Sequence, residues 1–279
     1  MKRLTRRLCE LIAAWVMPVA AAAGTTVETF DFGSNLGGWS YGTGNGAISP
    51  VGGNPGPFWF EPGVDTFAPQ PRTLNPAGTP FAGDFRARNV RLVGIDLKTF
   101  YVDFSAADRP LALMLVSDGR TPADASDDWA AYTLGADCPE PGEGWRGYDF
   151  SIPAGSPALP AGWSTIVFGP NAQPDWNEVI TRVSQIRFFY GDPELFFIFQ
   201  VWDVGLDNPR IVVGPLLGDL NCDGVVNNFD IDPFVLAIVD PAGYRARFPN
   251  CDRSAADANT DGRIDNFDIE PFVRLLADR

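Results

Sequence analysis

The sequence predicts a mainly β chain, in which an antiparallel β-sandwich of the jelly-roll kind is followed by a small α-helical segment. Short apolar and aromatic runs alternate with Gly, Pro, Asn and Asp clusters from residue 25 to about 213. Helical periodicity is nearly absent there and becomes regular only after residue 230, in two copies of one repeat. Many short strands separated by turn residues are typical of sandwiches and barrels.

The first 23 residues predict a signal peptide. Basic residues precede a mostly apolar stretch from Leu8 to Ala22, and small residues close it. Arg6 and Arg7 leave open whether export follows the general or the twin-arginine route. No later stretch approaches eighteen uninterrupted apolar residues, so we expect no membrane span. The expected location is extracellular, as a secreted or cell-surface protein.

The expected mature chain is strongly acidic. Residues 1–23 carry four of the 21 basic residues and one of the 35 acidic ones, which leaves a net charge of −17. Such a surface repels nucleic acid and anionic membranes, and we expect no nucleic-acid partner.

The predicted sandwich domain covers residues 25–213 and contains eleven strand-like runs. They are Val27–Phe32, Phe58–Phe60, Val90–Leu97, Phe100–Phe104, Leu111–Val116, Trp129–Leu134, Tyr148–Ile152, Thr165–Phe168, Val183–Tyr190, Phe196–Val204 and Arg210–Val213. One helix is expected at Trp176–Arg182, with Asp175 as its N-cap and Glu178 completing a capping box. Residues 214–218 form the predicted linker.

Seven tryptophans remain after removal of the signal peptide. A sandwich buries most of its aromatic residues, so we expect the three in strand-like runs to be core residues: Trp39, Trp129 and Trp202. The other four lie nearer turns and are the candidates for a contact surface: Trp59, Trp145, Trp163 and Trp176.

The two ends of the sandwich domain, residues 30–39 and 205–210, resemble the first and last strands of galactose-binding-like or laminin-B-like jelly rolls. This resemblance implies recognition of a polysaccharide or of another protein. It also implies a structural calcium near those strands, for which Asp31 and Asp207 would be the ligands.

Two twelve-residue segments, 219–230 and 257–268, repeat near the carboxyl end. Oxygen-bearing side chains stand at positions 1, 3, 5, 9 and 12 of each, with glycine at position 6. This is the ligand spacing of an EF-hand loop, in which position 7 contributes a backbone carbonyl. The sequence therefore predicts two Ca²⁺ ions. Their ligands would be Asp219, Asn221, Asp223, Val225, Asn227 and Asp230, and Asp257, Asn259, Asp261, Arg263, Asp265 and Asp268.

A short helix is predicted after each loop. The apolar residues Ile231, Phe234, Val235 and Ile238 follow helical spacing in the first copy. The second copy repeats them as Ile269, Phe272, Val273 and Leu276. Because the two apolar faces are equivalent, we expect the helices to pack face to face.

Residues 219–279, with two loop–helix repeats and aspartate at position 12 of each loop, resemble a type I dockerin module. This resemblance implies calcium-dependent docking to a cohesin-like domain of another protein. Residues at the start of each helix would make the contact, here Asn228 and Phe229 in one copy and Asn266 and Phe267 in the other. A tail that docks within its own chain is the alternative.

Three cysteines remain in the mature chain. Cys222 lies inside the first loop and Cys251 shortly before the second, and export makes a disulfide between them chemically possible. We predict this disulfide and expect Cys138 to be unpaired and unreactive, since no His or nearby Lys lowers its pKa.

The chain contains no histidine, which excludes Ser-His-Asp and Cys-His catalysis. A glycoside hydrolase needs only two carboxylates. The available pairs, Asp127/Asp128, Glu140/Glu143 and Asp175/Glu178, lie in polar loops or at a helix cap. We therefore expect a non-catalytic modular protein, in which the tail docks and the sandwich recognises a glycan or a surface protein. A secreted polysaccharide-degrading hydrolase that carries a dockerin is the alternative.

Overall fold

The computed structural model describes residues 24–195, 198–223 and 225–277. Four parts of the chain lie outside the described residues: the predicted signal peptide, residues 196–197 of one predicted strand, Gly224 of the first loop and the last two residues. Within them the chain is mainly β, with two antiparallel sheets and four short α-helices. The predicted sandwich-like architecture is thus confirmed at this level.

The strands of the described residues run in chain order as follows: β1 (Gly24–Val27), β2 (Trp39–Ser40), β3 (Ala47–Gly53), β4 (Gly56–Thr66), β5 (Arg72–Thr73), β6 (Val90–Val102), β7 (Pro110–Ser117), β8 (Trp129–Asp137), β9 (Arg146–Ser151), β10 (Trp163–Val167), β11 (Gln185–Tyr190) and β12 (Gln200–Val213). One sheet has the order β3-β4-β12-β6-β9, with β1 also paired to β12. The other has the order β10-β8-β7-β11-β5-β2.

The main core lies between the two sheets. Alternate residues of the central strand β12, among them Trp202, Val204 and Leu206, are fully buried. This alternation is the period of a strand with one face against a core. In the other sheet, β7 is buried along nearly its whole length, because helix α1 (Trp176–Thr181) packs against β7 and β8 on one side.

Several predicted strand limits are wrong. The runs Val90–Leu97 and Phe100–Phe104 form the single strand β6, because buried Thr99 continues the alternation between them. β12 likewise continues through residues 205–209, where a register shift between Asp207 and Arg210 accommodates Asn208 and a proline. β1 ends at Val27, and residues 31–33 form a 3₁₀ turn instead of extended chain. Strands β3 and β5 were not predicted, since they are very short or rich in Gly, Pro and Ser. Strand β2 was anticipated only through the assignment of Trp39 to a strand-like run.

The predicted helix α1 is confirmed, and Asp175 accepts a hydrogen bond from the Asn177 backbone N–H as its N-cap. The Glu178 carboxylate does not complete a capping box. It accepts hydrogen bonds from the Ser117 hydroxyl, 2.9 Å from each carboxylate oxygen.

Within its described residues, the carboxyl-terminal segment contains three α-helices: α2 (Ile231–Val239), α3 (Pro241–Arg247) and α4 (Ile269–Ala277). They surround a small second core that contains Leu220, Phe234, Tyr244, Ala256 and Phe272. Helix α3 was not predicted, although Asp240 as N-cap and Pro241 at the first helical position are its sequence signals.

The predicted face-to-face packing of α2 and α4 is confirmed only for the central residue pair, Phe234 and Phe272. The Phe234 and Phe272 rings stack with centroids 3.9 Å apart. Ile231 and Val235 of α2, and Ile269 and Val273 of α4, remain exposed. The reason is that α3 and the 3₁₀ turn at Arg253–Ala256 supply the rest of the core, so the helices meet along only part of their apolar faces.

None of the helices in the described ranges is long and apolar enough to cross a membrane.

Candidate calcium-binding loops

The first loop is organised by its own acidic side chains. Asp219 accepts a hydrogen bond from the Asp223 backbone N–H at 3.2 Å, and Asp223 accepts one from the Val225 N–H at 3.0 Å. Asp230 closes the loop, because its Oδ1 accepts hydrogen bonds from the backbone N–H groups of Leu220 and Asn221. The carboxylates at positions 1, 5 and 12 therefore hold the chain in a tight turn.

The second loop repeats this arrangement. Asp257 accepts hydrogen bonds from the backbone N–H groups of Asp261 and Gly262, at 3.1 and 3.0 Å. Asp261 accepts one from the Arg263 N–H at 2.8 Å, and Asp268 accepts one from the Asn259 N–H at 3.1 Å. The two copies thus share a structure as well as a sequence.

Positions 9 and 12 connect each loop to its helix. In the first copy the Asn227 side chain caps the 3₁₀ turn Asn228–Asp230, and Asp230 Oδ2 accepts the Asn227 N–H at 2.9 Å. In the second copy Asp265 and Asp268 form the same capping box. Such reciprocal caps fix the direction in which a helix leaves its loop.

The backbone conformation at position 4 of each loop was not predicted from the sequence. Cys222 and Thr260 both adopt the left-handed conformation, with φ of 60° and 59°. Non-glycine residues adopt this conformation uncommonly, and its recurrence at equivalent positions shows that both loops make the same turn. Gly262 at position 6 has φ of 84°, as its role in the turn predicts.

Four loop carboxylates are buried: Asp219, Asp230, Asp257 and Asp268. Burial raises the pKa of Asp257, and the charges of Asp268 and Asp261 raise it further. The hydrogen bond from the Gly262 N–H acts in the opposite direction and lowers it. In the described residues no Lys or Arg forms a salt bridge with Asp230, Asp257 or Asp268. Buried anions without a cationic partner are costly, so a bound cation would stabilise this arrangement.

The donor chemistry fits a hard cation. The side chains at positions 1, 3, 5, 9 and 12 offer oxygen, which Ca²⁺ prefers, and neither His nor a free Cys lies in either loop. Val225 and Arg263 hold position 7 of their loops. Within the described part of the chain, no three acidic, His or Cys side chains already form a closed metal-binding cluster. The fit therefore lies in donor type and spacing, with the carboxylates engaged by backbone N–H groups.

The predicted disulfide is confirmed. Cys222 and Cys251 are bonded, with Cα atoms 5.8 Å apart, and join the first loop to the chain that follows α3. Cys138 is free and buried, and burial raises the pKa of its thiol well above the ordinary value. It is therefore held in the unreactive thiol form.

Exposed apolar residues lie beside the loops. Phe229 and Phe267, the second residue of each 3₁₀ turn, are 71% and 70% exposed. A groove of about 230 Å³ runs between α2 and α4, with only apolar side chains along it. Its exposed residues are Ile231, Val235, Val239, Ile269 and Val273. We call these five residues, together with Phe229 and Phe267, the helix surface.

The division of the sandwich tryptophans into buried and surface residues differs in part from the prediction. Trp39, Trp129 and Trp202 are buried, as predicted. Trp163 and Trp176 are also buried and pack against each other, with ring centroids 5.2 Å apart, so they do not belong to a contact surface. The half-buried Trp59 and Trp145 are the remaining candidates for a contact surface. Trp59 Nε1 donates a hydrogen bond to the Glu61 carboxylate. Trp145 packs edge-on against Phe58 on the outer face of the first sheet.

Asp207 and Asp31 were implied as calcium ligands of the sandwich. Asp207 is fully buried, and burial together with the charges of Asp96 and Asp31 raises its pKa to about 6, against hydrogen bonds from the Asn54 and Asn208 backbones. Arg210 forms a 2.8 Å salt bridge with Asp96. Arg210 is therefore the cationic partner of Asp96, and a calcium ion held by Asp31 and Asp207 stays a prediction.

The chain matches no profile of a known protein family, and no curated protein has a significantly similar sequence. Its function is therefore inferred from the residues and contacts described above.

Proposed function

We propose that this chain is an exported, non-catalytic modular protein. Its carboxyl-terminal segment is a dockerin-type module that binds two Ca²⁺ ions and docks to a cohesin-like partner. Its β-sandwich recognises a glycan or a surface protein. One observation carries the proposal: two loops with the same capping box lead into two equivalent helices that leave apolar residues exposed.

The chemistry of the loops supports the proposed calcium binding. Each copy presents oxygen side chains at the five spaced positions, and two carboxylates of each copy are buried. A divalent cation favours the charged form of these groups and opposes their mutual repulsion. The second core is small, and segments of this size need metal or disulfide support. Calcium would supply such support alongside the Cys222–Cys251 bond.

Docking is supported by the helix surface. Isolated exposed apolar residues are ordinary, but a contiguous apolar patch beside a groove is typical of an interaction site. Phe229 and Phe267 occupy equivalent places beside the two loops. A change in either loop would therefore move the residues that contact a partner.

Docking between molecules is favoured over docking within the chain. Thr260 of the second loop does lie against the sandwich, since a Cβ placed on Gly155 would be 2.7 Å from its methyl group. The helix surface is nevertheless exposed in the presence of the sandwich. The sandwich does not cover it, so it is available to another protein.

A secreted glycoside hydrolase carrying a dockerin remains the second candidate for the sandwich. It is favoured by one observation, the presence of Asp127, Asp175 and Glu178 around a single pocket. Turnover of a polysaccharide that is abolished by one carboxylate substitution would establish it and overturn the non-catalytic proposal.

The calcium proposal is tested by isothermal titration of the purified protein with CaCl₂. Two ions should bind per chain, and the Asp219→Ala/Asp257→Ala variant should bind neither, because each loop loses its position 1 carboxylate. Asp65→Ala, which removes an exposed acid on strand β4 of the sandwich, is the control and should keep both ions. A wild-type protein that binds no calcium would refute the proposal.

Docking is tested in the same preparation by surface plasmon resonance against a panel of purified cohesin domains. At least one should bind in Ca²⁺ and be released by a chelator. Phe229→Ala/Phe267→Ala should weaken that complex about tenfold or more, since buried aromatic anchors dominate interfaces. Phe104→Ala is the matched control, because Phe104 is 76% exposed on the sandwich.

A further inference from the structure

The second candidate calcium loop contacts the sandwich through Thr260, its position 4 residue. Thr260 lies against Gly155 in residues 153–156, which follow β9 and which we call the contact turn. A Cβ placed on Gly155 would lie 2.7 Å from the Thr260 Cγ2 atom, 2.8 Å from its Oγ1 and 3.3 Å from its Cβ. The three nearest atoms thus all belong to Thr260. A glycine at position 155 therefore leaves room for this one residue of the loop.

The contact turn is held in place by hydrogen bonds within the sandwich. Arg86 Nε donates to the Ala154 carbonyl at 2.9 Å, and Arg86 Nη2 donates to the Ser156 carbonyl at 2.7 Å. The Trp176 ring N–H donates to the same Ser156 carbonyl at 3.1 Å. These bonds hold the residues on both sides of Gly155, so the sandwich presents a fixed surface to the loop.

The linker keeps the second loop beside this surface. The Asn89 N–H donates to the Arg86 carbonyl at 2.9 Å, so Asn89 belongs to the same turn as the residue that holds the contact turn. The Asn89 side chain donates to the Pro215 carbonyl of the linker at 2.7 Å. At the other end of the linker, the Gly218 N–H donates to the Ala255 carbonyl at 2.9 Å, just before the second loop begins. One turn of the sandwich therefore positions both the contact turn and the linker.

The contact acts on the residue with the least common backbone conformation in the loop. Thr260 has φ of 59°, which a β-branched residue rarely adopts. The equivalent residue of the first loop, Cys222, has φ of 60° and is held by its disulfide to Cys251. Position 4 is thus fixed from outside in both loops, by a disulfide in one and by the sandwich in the other. A loop that is already ordered loses less conformational entropy when it binds an ion.

We propose that the contact turn is a binding surface for the second loop and raises the affinity of that loop for Ca²⁺, whereas the first loop depends on its disulfide. The inference rests on the proposed calcium function and adds that the two sites have different supports. Because coupling between sites is reciprocal, calcium in the second loop also strengthens its contact with the sandwich. The partner of this sandwich surface is the carboxyl-terminal segment of the same chain.

The test measures each site separately in the full protein by calorimetry with CaCl₂. Asp219→Ala leaves the second loop as the binding site, and Asp257→Ala leaves the first. Adding Gly155→Ala should weaken the second-loop site at least about tenfold, the factor that corresponds to 1.4 kcal/mol, because the new Cβ meets Thr260. The first-loop site should keep its affinity. Gly155 does not have a positive φ, so alanine fits its backbone.

Thr260→Gly provides the matched control, because it removes the side chain that the new Cβ would meet. Gly155→Ala should cost no calcium affinity when it is added to Thr260→Gly. Amide hydrogen exchange in the presence of a chelator gives a second measurement that needs no ion. Exchange in residues 257–268 should be faster in Gly155→Ala than in the wild type, and exchange in residues 219–230 should be equal.

The outcomes separate this inference from the wider proposal. An unchanged second-loop affinity in Gly155→Ala, an equal loss in both loops, or a loss that persists with Thr260→Gly overturns the inference and leaves calcium binding standing. A wild type that binds no calcium overturns both. If Gly155→Ala does not fold, Arg86→Met replaces it. This variant frees the carbonyls of the contact turn without adding a Cβ at Gly155, and it should weaken the second-loop site alone.

Discussion

At the scale of single residues, Glu61 connects the two sheets of the sandwich. It lies on β4 of one sheet and is fully buried. Its carboxylate accepts hydrogen bonds from the Ser40 hydroxyl, the Tyr41 and Thr43 backbones and the Trp59 ring, at 2.8 to 3.0 Å. Burial alone would raise the pKa of Glu61, but the hydrogen bonds from Thr43, Trp59 and Tyr41 outweigh it and lower the pKa.

Glu61→Gln should therefore destabilise the sandwich by about 2 kcal/mol or more at pH 7, because an amide cannot accept all of these bonds. The folded pKa is below the unfolded value, so the stabilisation is complete above the unfolded pKa and is lost as the pH falls through the folded pKa. Urea unfolding at pH 7 and near pH 3 measures both effects. The difference in unfolding free energy between wild type and variant should shrink at the lower pH.

Asp65→Asn is the control for this measurement, since Asp65 is exposed on the same strand. A Glu61→Gln variant with the stability of Asp65→Asn at both pH values would contradict the prediction.

The burial of individual tryptophans could be predicted only in part. Strand-like runs correctly placed Trp39, Trp129 and Trp202 in the core. Trp163 and Trp176 were expected at a surface because they lie near turns, yet they are buried together. Local sequence shows which face of a strand a residue occupies, but it does not show that a distant helix covers that face.

At the scale of elements, the disulfide supports the carboxyl-terminal segment. It joins cysteines 29 residues apart, and cross-linking that span restricts the unfolded chain. The bond should contribute roughly 3.5 kcal/mol to the unfolding free energy of this segment on the chain-entropy model. It also links the first loop to the connection after α3, a constraint that the second loop lacks.

Reduction of this bond should lower the stability of the segment by that amount and weaken calcium binding at the first loop more than at the second. Urea unfolding and calcium titration with and without a reductant provide the measurement. Cys138→Ala in a chain without residues 1–23 is the background of choice, because it leaves only the two bonded cysteines. Unchanged stability on reduction would contradict the prediction.

The loop–helix repeat was the element most accessible from sequence, because ligand spacing, glycine and helical period agree in two copies. The exposure of Val235 and Val273 was not accessible, since periodicity identifies an apolar face without showing what packs on it. The same is true of the pocket around Asp127 and Glu178, which are 51 residues apart in the sequence and meet only through the fold of the second sheet.

At the scale of the whole molecule, the two cores are separate clusters. One fills the sandwich, and the other is the small cluster around Phe234, Tyr244 and Phe272. We predict two unfolding transitions in calorimetry. Calcium should raise the carboxyl-terminal one, because an ion that binds only the folded state at a hundred times its dissociation constant adds about 2.7 kcal/mol.

The sandwich transition should not move with calcium, and the Asp219→Ala/Asp257→Ala variant should lose the effect on the other transition. A single transition that shifts as a whole with calcium would show that the two parts unfold as one unit.

The order of strands within the sheets is the feature that the sequence predicts least. β12 pairs with β4 and β6, whose starting residues precede it by more than one hundred positions. Such pairings depend on the complementarity of whole faces, and no local pattern records them. The sequence supports the class of fold and leaves the connectivity undetermined.

The short connection between the two parts is fastened at both ends. Asn89 of the sandwich accepts the Gly214 N–H and donates to the Pro215 carbonyl, and the Gly218 N–H donates to Ala255. A connection that is hydrogen-bonded at both ends restricts the relative orientation of the two parts as well as joining them. A partner that bound the carboxyl-terminal segment would therefore also fix the orientation of the sandwich, so that all bound copies would present the same face outward.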